Sequence, residues 1–122
     1  MSDVPNITVI GAGLMGHGIA LTFGRIGCAV SVSDPDAEMR ATLHGRVRQS
    51  MELLGAGPEE IETTCEAISL REEIAPAVKD ADFVFEAAPE KLALKQSIFA
   101  EIEAHTRPNT VLASNTLSLI HI

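Results

Sequence analysis

Ile7-Thr8-Val9-Ile10-Gly11-Ala12-Gly13-Leu14-Met15-Gly16 joins a short β-branched run to three glycines in a G-x-G-x-x-G pattern. Side chains branched at Cβ pack well on a pleated surface, so the first four residues read as a buried strand. After the glycines the period changes. Ile19, Phe23 and Ile26 fall near one face of a helix running from Leu14 to Ile26, and Gly27 is placed to stop it. In that setting Gly11 permits a tight turn, Gly13 lets the backbone approach a pyrophosphate, and Gly16 lets helix and strand pack closely. The free N–H groups and positive dipole end of the helix then hold phosphates without a lysine. Gly11, Ala12, Gly13, Leu14, Met15 and Gly16 are therefore expected to line a bound dinucleotide.

The next strand, Cys28 to Ser33, runs into Asp34-Pro35, and Met39, Leu43, Val47 and Met51 then recur at helical spacing. Pro35 suits the first turn of that second helix. Asp34 stands roughly 20 residues beyond the glycine loop, where a carboxylate accepts hydrogen bonds from the adenosine ribose hydroxyls. The competing role is an N-cap for the following helix. A carboxylate there repels a 2′-phosphate, and Pro35 and Asp36 add no positive charge, so NAD is expected over NADP. Arg40 is the nearest cation after Asp34 and is expected on the helix surface. No Lys-Ser or Lys-Thr pair follows the glycines, which excludes a P-loop.

Gly55-Ala56-Gly57-Pro58 is the clearest break, followed by an acidic segment, Glu59 to Glu66, left without assigned structure. Beyond it, Ala67 to Leu70 is a third strand, Arg71 to Asp80 a short helix and Asp82 to Ala87 a fourth strand. Pro89 and Glu90 open a further helix with Leu94, Ile98 and Ile102 on its apolar side and Phe99 beside them. Thr110 to Ser114 is the fifth strand. Strands alternating with helices imply an α/β protein, a doubly wound parallel sheet of Rossmann type with order 3-2-1-4-5 and helices on both faces.

Composition narrows the partners. The chain has 122 residues, 46% of them hydrophobic and 21% charged, which suits one folded domain. Nine Lys and Arg against 17 Asp and Glu give a net charge of −8, the opposite of a nucleic-acid footprint. No apolar run reaches the roughly 20 residues a membrane span needs. Met1 to Asn6 do not read as a signal peptide. Cys28 and Cys65 lack metal or redox spacing and fit a reducing cytoplasm; no metal site is expected.

Three stretches together, Ile7 to Ala20, Phe85-Glu-Ala-Ala-Pro-Glu-Lys-Leu-Ala-Leu-Lys95 and Ala113-Ser-Asn-Thr116, resemble the NAD-binding domain of the 3-hydroxyacyl-CoA dehydrogenase family. The resemblance runs in order over almost the whole chain. It implies that Glu90, Lys95 and Asn115 contact NAD toward its nicotinamide ribose. Ser114 and Asn115 are expected at the carboxyl edge of the sheet. It further implies an oxidoreductase of fatty acid metabolism that interconverts L-3-hydroxyacyl-CoA and 3-ketoacyl-CoA by hydride transfer, as a homodimer. Its catalytic histidine and glutamate, and its helical C-terminal domain, follow the Ser-Asn-Thr motif. No catalytic residue is therefore expected within this chain, which should be inactive alone. Glu90 also suits a first helical turn, and Lys95 a solvated helix surface.

The sequence departs from the family in two places. Leu117 stands where a serine or other small residue is usual, and residues 117–122, Leu-Ser-Leu-Ile-His-Ile, resemble translated sequencing-adapter DNA. The domain is accordingly expected to span 1–116, with a foreign tail, and His121 has no orienting carboxylate placed with it. His17 is expected near the cofactor phosphates, and His44 and His105 on helix surfaces. Ser50 matches a serine that meets CoA, but the residues after it, Met51 to Glu60, carry no lysine. A dehydrogenase of a small hydroxy acid or alcohol without CoA is the alternative enzyme, and a non-catalytic NAD(H)-binding module the alternative of another class.

Overall fold

The computed structural model describes residues 4–89 and 91–114. Five strands, β1 (Ile7–Ile10), β2 (Val30–Ser33), β3 (Ile68–Arg71), β4 (Phe83–Glu86) and β5 (Val111–Ser114), form one sheet in the order β3-β2-β1-β4-β5. Every pairing is parallel. Five helices connect them: α1 (Leu14–Arg25), α2 (Ala37–Leu53), α3 (Pro58–Glu66), α4 (Ile74–Val78) and α5 (Leu92–His105). The expected architecture and strand order are those observed.

Two apolar cores lie on opposite faces of the sheet, as double winding requires. One joins Val9, Val30 and Val32 to Leu43, Val47 and Met51 of α2 and Ile61 and Cys65 of α3. The other joins Ile10 and Val84 to Val78 of α4 and Ile98 and Ile102 of α5. The central strand β1 is buried along its whole length. Both cysteines are buried and free, and burial pushes the Cys65 thiol above its ordinary range. No helix among the described residues is long and apolar enough to cross a membrane.

Several local expectations are corrected. On α1 the expected Ile19 and Phe23 are half-buried against the core, but the fully buried residues are Gly16, His17, Ala20, Leu21 and Gly24, and Ile26 is exposed. At Gly24 the helix lies close to α3, where a Cβ would meet Thr64 at 3.3 Å. Pro35 precedes α2 rather than entering its first turn, because Asp36 is the N-cap and accepts from Glu38 N–H and Met39 N–H. The acidic segment after Gly57 is helical, with Pro58 in the first turn and Glu59 and Glu60 at the positive end of the dipole. The buried side of α5 is Lys95, Ile98 and Ile102, whereas Leu94 is 39% exposed and lines the cleft at the carboxyl edge of the sheet.

Candidate active site

The carboxyl ends of β1, β2 and β4 open onto a cleft of about 830 Å³. It lies where strand order reverses from β1 to β4, the position at which open parallel sheets bind ligands. Gly11, Gly13, Leu14 and Met15 form its floor, Asp34 and Glu72 one end, and Ala88 and Pro89 the other.

The three glycines do different work. Gly11 has φ +107°, and a Cβ there would stand 2.7 Å from the Ala87 carbonyl oxygen beyond β4. A Cβ on Gly16 would fall 1.8 Å from the Gly11 carbonyl oxygen, so the helix can approach the loop only with glycine at that position. Gly13 is under no such demand; its nearest neighbour for a Cβ is the Met39 side-chain end at 3.9 Å. The space beside Gly13 belongs to the cleft, and a dinucleotide pyrophosphate fits it.

The end of α1 supports that fit. Gly13 is its N-cap, no side chain caps it, and no acid occupies its first turn. By contrast α2, starting at the same edge of the sheet, is capped by Asp36 and carries Glu38 in its first turn. The N–H groups of α1 are thus left for an anion.

Asp34 directly follows β2 and is half-buried in the cleft wall. Its Oδ2 accepts from Ala12 N–H at 2.9 Å and its Oδ1 from Asp36 N–H at 2.9 Å. The carboxylate therefore ties the glycine loop to β2, and each oxygen keeps a further lone pair for a ribose hydroxyl. Capping of α2 belongs to Asp36.

At the other end a residue that motif reading passed over is the hub. Glu86, the last residue of β4, is fully buried. It pairs with Lys95 Nζ, and accepts from Ala88 N–H at 2.7 Å and from Ser114 Oγ–H at 2.7 Å. Lys95 is itself only 1% exposed, so it is no solvated helix residue. The register Ile10↔Glu86↔Ser114 sets these groups at the same level of the sheet. A buried lysine on the inner face of α5 was the available signal: it sits three residues before Ile98, within the apolar period. Glu90, Asn115, His121 and the stretch 117–122 lie outside the described residues.

His17 and Ser50 meet each other, Nε2 to Oγ at 3.0 Å, in a groove between α1 and α2. His17 is buried and its ring turns toward α2 rather than toward the glycine loop. Leu14 and Met39 line both this groove and the main cleft, and Arg46 also lines the groove. His44 is half-buried and its Nε2 lies 2.9 Å from the Ile68 carbonyl oxygen, while His105 is exposed. Among the described residues no group of three His, Cys, Asp or Glu side chains could hold a metal ion.

A parallel sheet with a glycine loop, an uncapped helix and an acid after β2 defines a dinucleotide-binding domain of an oxidoreductase. Residues 6–122 match the model of the 3-hydroxyacyl-CoA dehydrogenase NAD-binding domain, and the chain belongs to that family. Its cofactor is NAD. It is 34% identical to the human mitochondrial hydroxyacyl-coenzyme A dehydrogenase, covering 95% of this chain and 40% of that protein. Identity to an L-carnitine dehydrogenase of Nocardiopsis dassonvillei is 37%, over 93% of this chain and 34% of that protein. Among solved structures, the (S)-3-hydroxybutyryl-CoA dehydrogenase PaaH1 from Ralstonia eutropha superposes with a TM-score of 0.86 at 26% identity. That superposition covers 93% of this chain and 41% of the other. The chain thus spans well under half the length of these relatives.

Proposed function

We propose that the whole protein interconverts L-3-hydroxyacyl-CoA and 3-ketoacyl-CoA, a step of fatty acid metabolism, and that this chain supplies its NAD-holding half. NAD, when bound, would supply the hydride-accepting and hydride-donating chemistry. The open N-terminus of α1 beside Gly13, with Asp34 at the end of the next strand, is the observation that carries the reading. In this assignment Gly11 and Ala12, whose N–H groups donate to Ser33 and Asp34, shape the loop, the N–H groups from Gly13 to Gly16 hold the pyrophosphate, and Asp34 accepts from the adenosine ribose. Glu90 and Asn115 serve the nicotinamide ribose. Lys95, buried against Glu86 and outside the cleft lining, acts there by fixing the wall of the cleft and not through contact of its own ammonium. The residues that take the substrate proton are assigned beyond the Ser-Asn-Thr motif, and a helical C-terminal domain is assigned the homodimer contact and much of the substrate pocket. The domain itself is assigned to 1–116, with 117–122 foreign to it.

Ser50 is assigned to substrate, and its groove joins the cleft at Leu14 and Met39. Arg46, one turn before Ser50, gives this groove the cation that the stretch after Ser50 lacks. A small hydroxy acid without CoA is the second reading, favoured by Glu52, Glu59 and Glu60 following Ser50 and by the likeness to a carnitine dehydrogenase. The proposed location is the cytoplasm, on the ground of two buried free thiols; the human relative is mitochondrial.

The test is NADH titration of the chain alongside turnover assays of the chain and of the protein read past residue 116. NADH binding with no turnover by the chain, and oxidation of 3-hydroxybutyryl-CoA by the longer protein, are expected. Turnover of carnitine-like acids but not of the thioester would select the second reading.

A further inference from the structure

Asp34 is not the only acid at its end of the cleft. Strand β3 ends at Arg71, registered with Ser33, and Asp34 N–H donates to the Arg71 carbonyl oxygen at 3.0 Å. Glu72, the next residue, therefore lines the cleft beside Asp34. Arg40 on α2 is drawn to the same place. Its Nη1 donates to the Asp34 carbonyl oxygen at 2.8 Å, and its Nη2 lies 3.7 Å from Glu72 Oε1. The cleft lining among the described residues contains no Lys or Arg, so Arg40 stands just behind an acidic rim.

We propose that Glu72 is a second cofactor-specificity residue, acting with Asp34 to exclude the 2′-phosphate of NADP by keeping Arg40 engaged. The proposal rests on the assignment of Asp34 to the adenosine ribose. A guanidinium is the natural partner of a phosphate, through parallel N–H bonds, and an arginine near this position is how the fold accommodates a 2′-phosphate. Arg40 has the right chemistry and is already anchored by one nitrogen to the main chain at Asp34, a bond that side-chain changes at 34 leave in place. Its other nitrogen faces a carboxylate, which keeps the guanidinium from turning to a ligand. At 3.7 Å, with the Glu72 side chain 69% exposed, the pair contributes little to folding. Its consequence is for ligand choice.

The experiment is fluorescence titration with NADH and NADPH at low ionic strength. It compares the chain with Asp34→Asn, Asp34→Asn/Glu72→Gln and Asp34→Asn/Glu72→Gln/Arg40→Gln, each first checked for native circular dichroism. Adding Glu72→Gln to Asp34→Asn should raise the NADPH-to-NADH affinity ratio by about tenfold, and Arg40→Gln should remove that gain. Raising salt should shrink it. A ratio unmoved by Glu72→Gln, or a gain that survives Arg40→Gln, would overturn the proposal. The ribose assignment fails separately, if Asp34→Asn alone leaves NADH affinity unchanged.

Discussion

Asp34 and Glu86 are both carboxylates at the carboxyl edge of the sheet, at the ends of β2 and β4, yet the fold uses them in opposite ways. Asp34 is half-buried in the cleft wall, and among the described residues its carboxylate accepts from main-chain N–H groups. Glu86 is sealed off, with a lysine, a serine and a main-chain N–H gathered around it. A carboxylate held by amides keeps acceptor capacity for a ligand. One neutralised by a buried ammonium instead locks the elements that carry its partners. Glu86 thereby ties the β4–α5 connection, α5 and the end of β5 into one wall of the cleft.

The largest expected effect follows from breaking that lock. Glu86→Ala leaves the Lys95 ammonium buried without its carboxylate and should cost about 3–5 kcal/mol in urea unfolding. Replacing the pair together, Glu86→Met with Lys95→Met, should recover much of that loss. A single-variant loss below about 1 kcal/mol would mean that the pair is not desolvated. The glycine loop offers the next contrast. Gly16→Ala drives a methyl into the Gly11 carbonyl and should lower stability by about 1–3 kcal/mol, seen as a lower melting temperature. Gly13→Val meets no comparable protein contact; its stability should change less, while NADH titration shows binding lost by steric exclusion.

The smallest effect concerns a carboxylate outside the comparison, at the opposite end of β4. The Asn6 N–H, and then the Arg107 guanidinium, hold the Asp82 carboxyl below its ordinary range. A lowered folded-state value contributes stability that is present above the unfolded value and fades as pH falls through the folded one. Asp82→Asn should therefore remove a small contribution near neutrality and flatten part of the acid limb. Variant and parent should then converge at low pH when urea unfolding is followed against pH.

The difference between the two carboxylates also explains what the sequence made legible. Strand order, the glycine loop and Asp34 all follow from local signals: β-branched runs, glycines with a positive φ or no room for a Cβ, and an acid at a fixed offset. Glu86 has no such signature. It takes meaning from Lys95 and Ser114, which parallel pairing and the packing of α5 bring together across the sheet edge. Periodicity misjudged α5 and α1 for a related reason. A lysine can lie inward when its partner is buried, and a helix pressed against its neighbours buries Gly16, Ala20 and Gly24 along with Leu21 and His17. His17 and Ser50 were expected in separate roles, and only the crossing of α1 and α2 brings them within hydrogen-bond reach.

The central claim is that Asp34, not the buried network, is the carboxylate that reads the cofactor. Titrating NADH into the chain and into Asp34→Ala tests it most directly. The account predicts binding weakened by about 1–3 kcal/mol, the cost of losing a charge-assisted acceptor, with the fold retained. An unchanged affinity in a folded variant would contradict it.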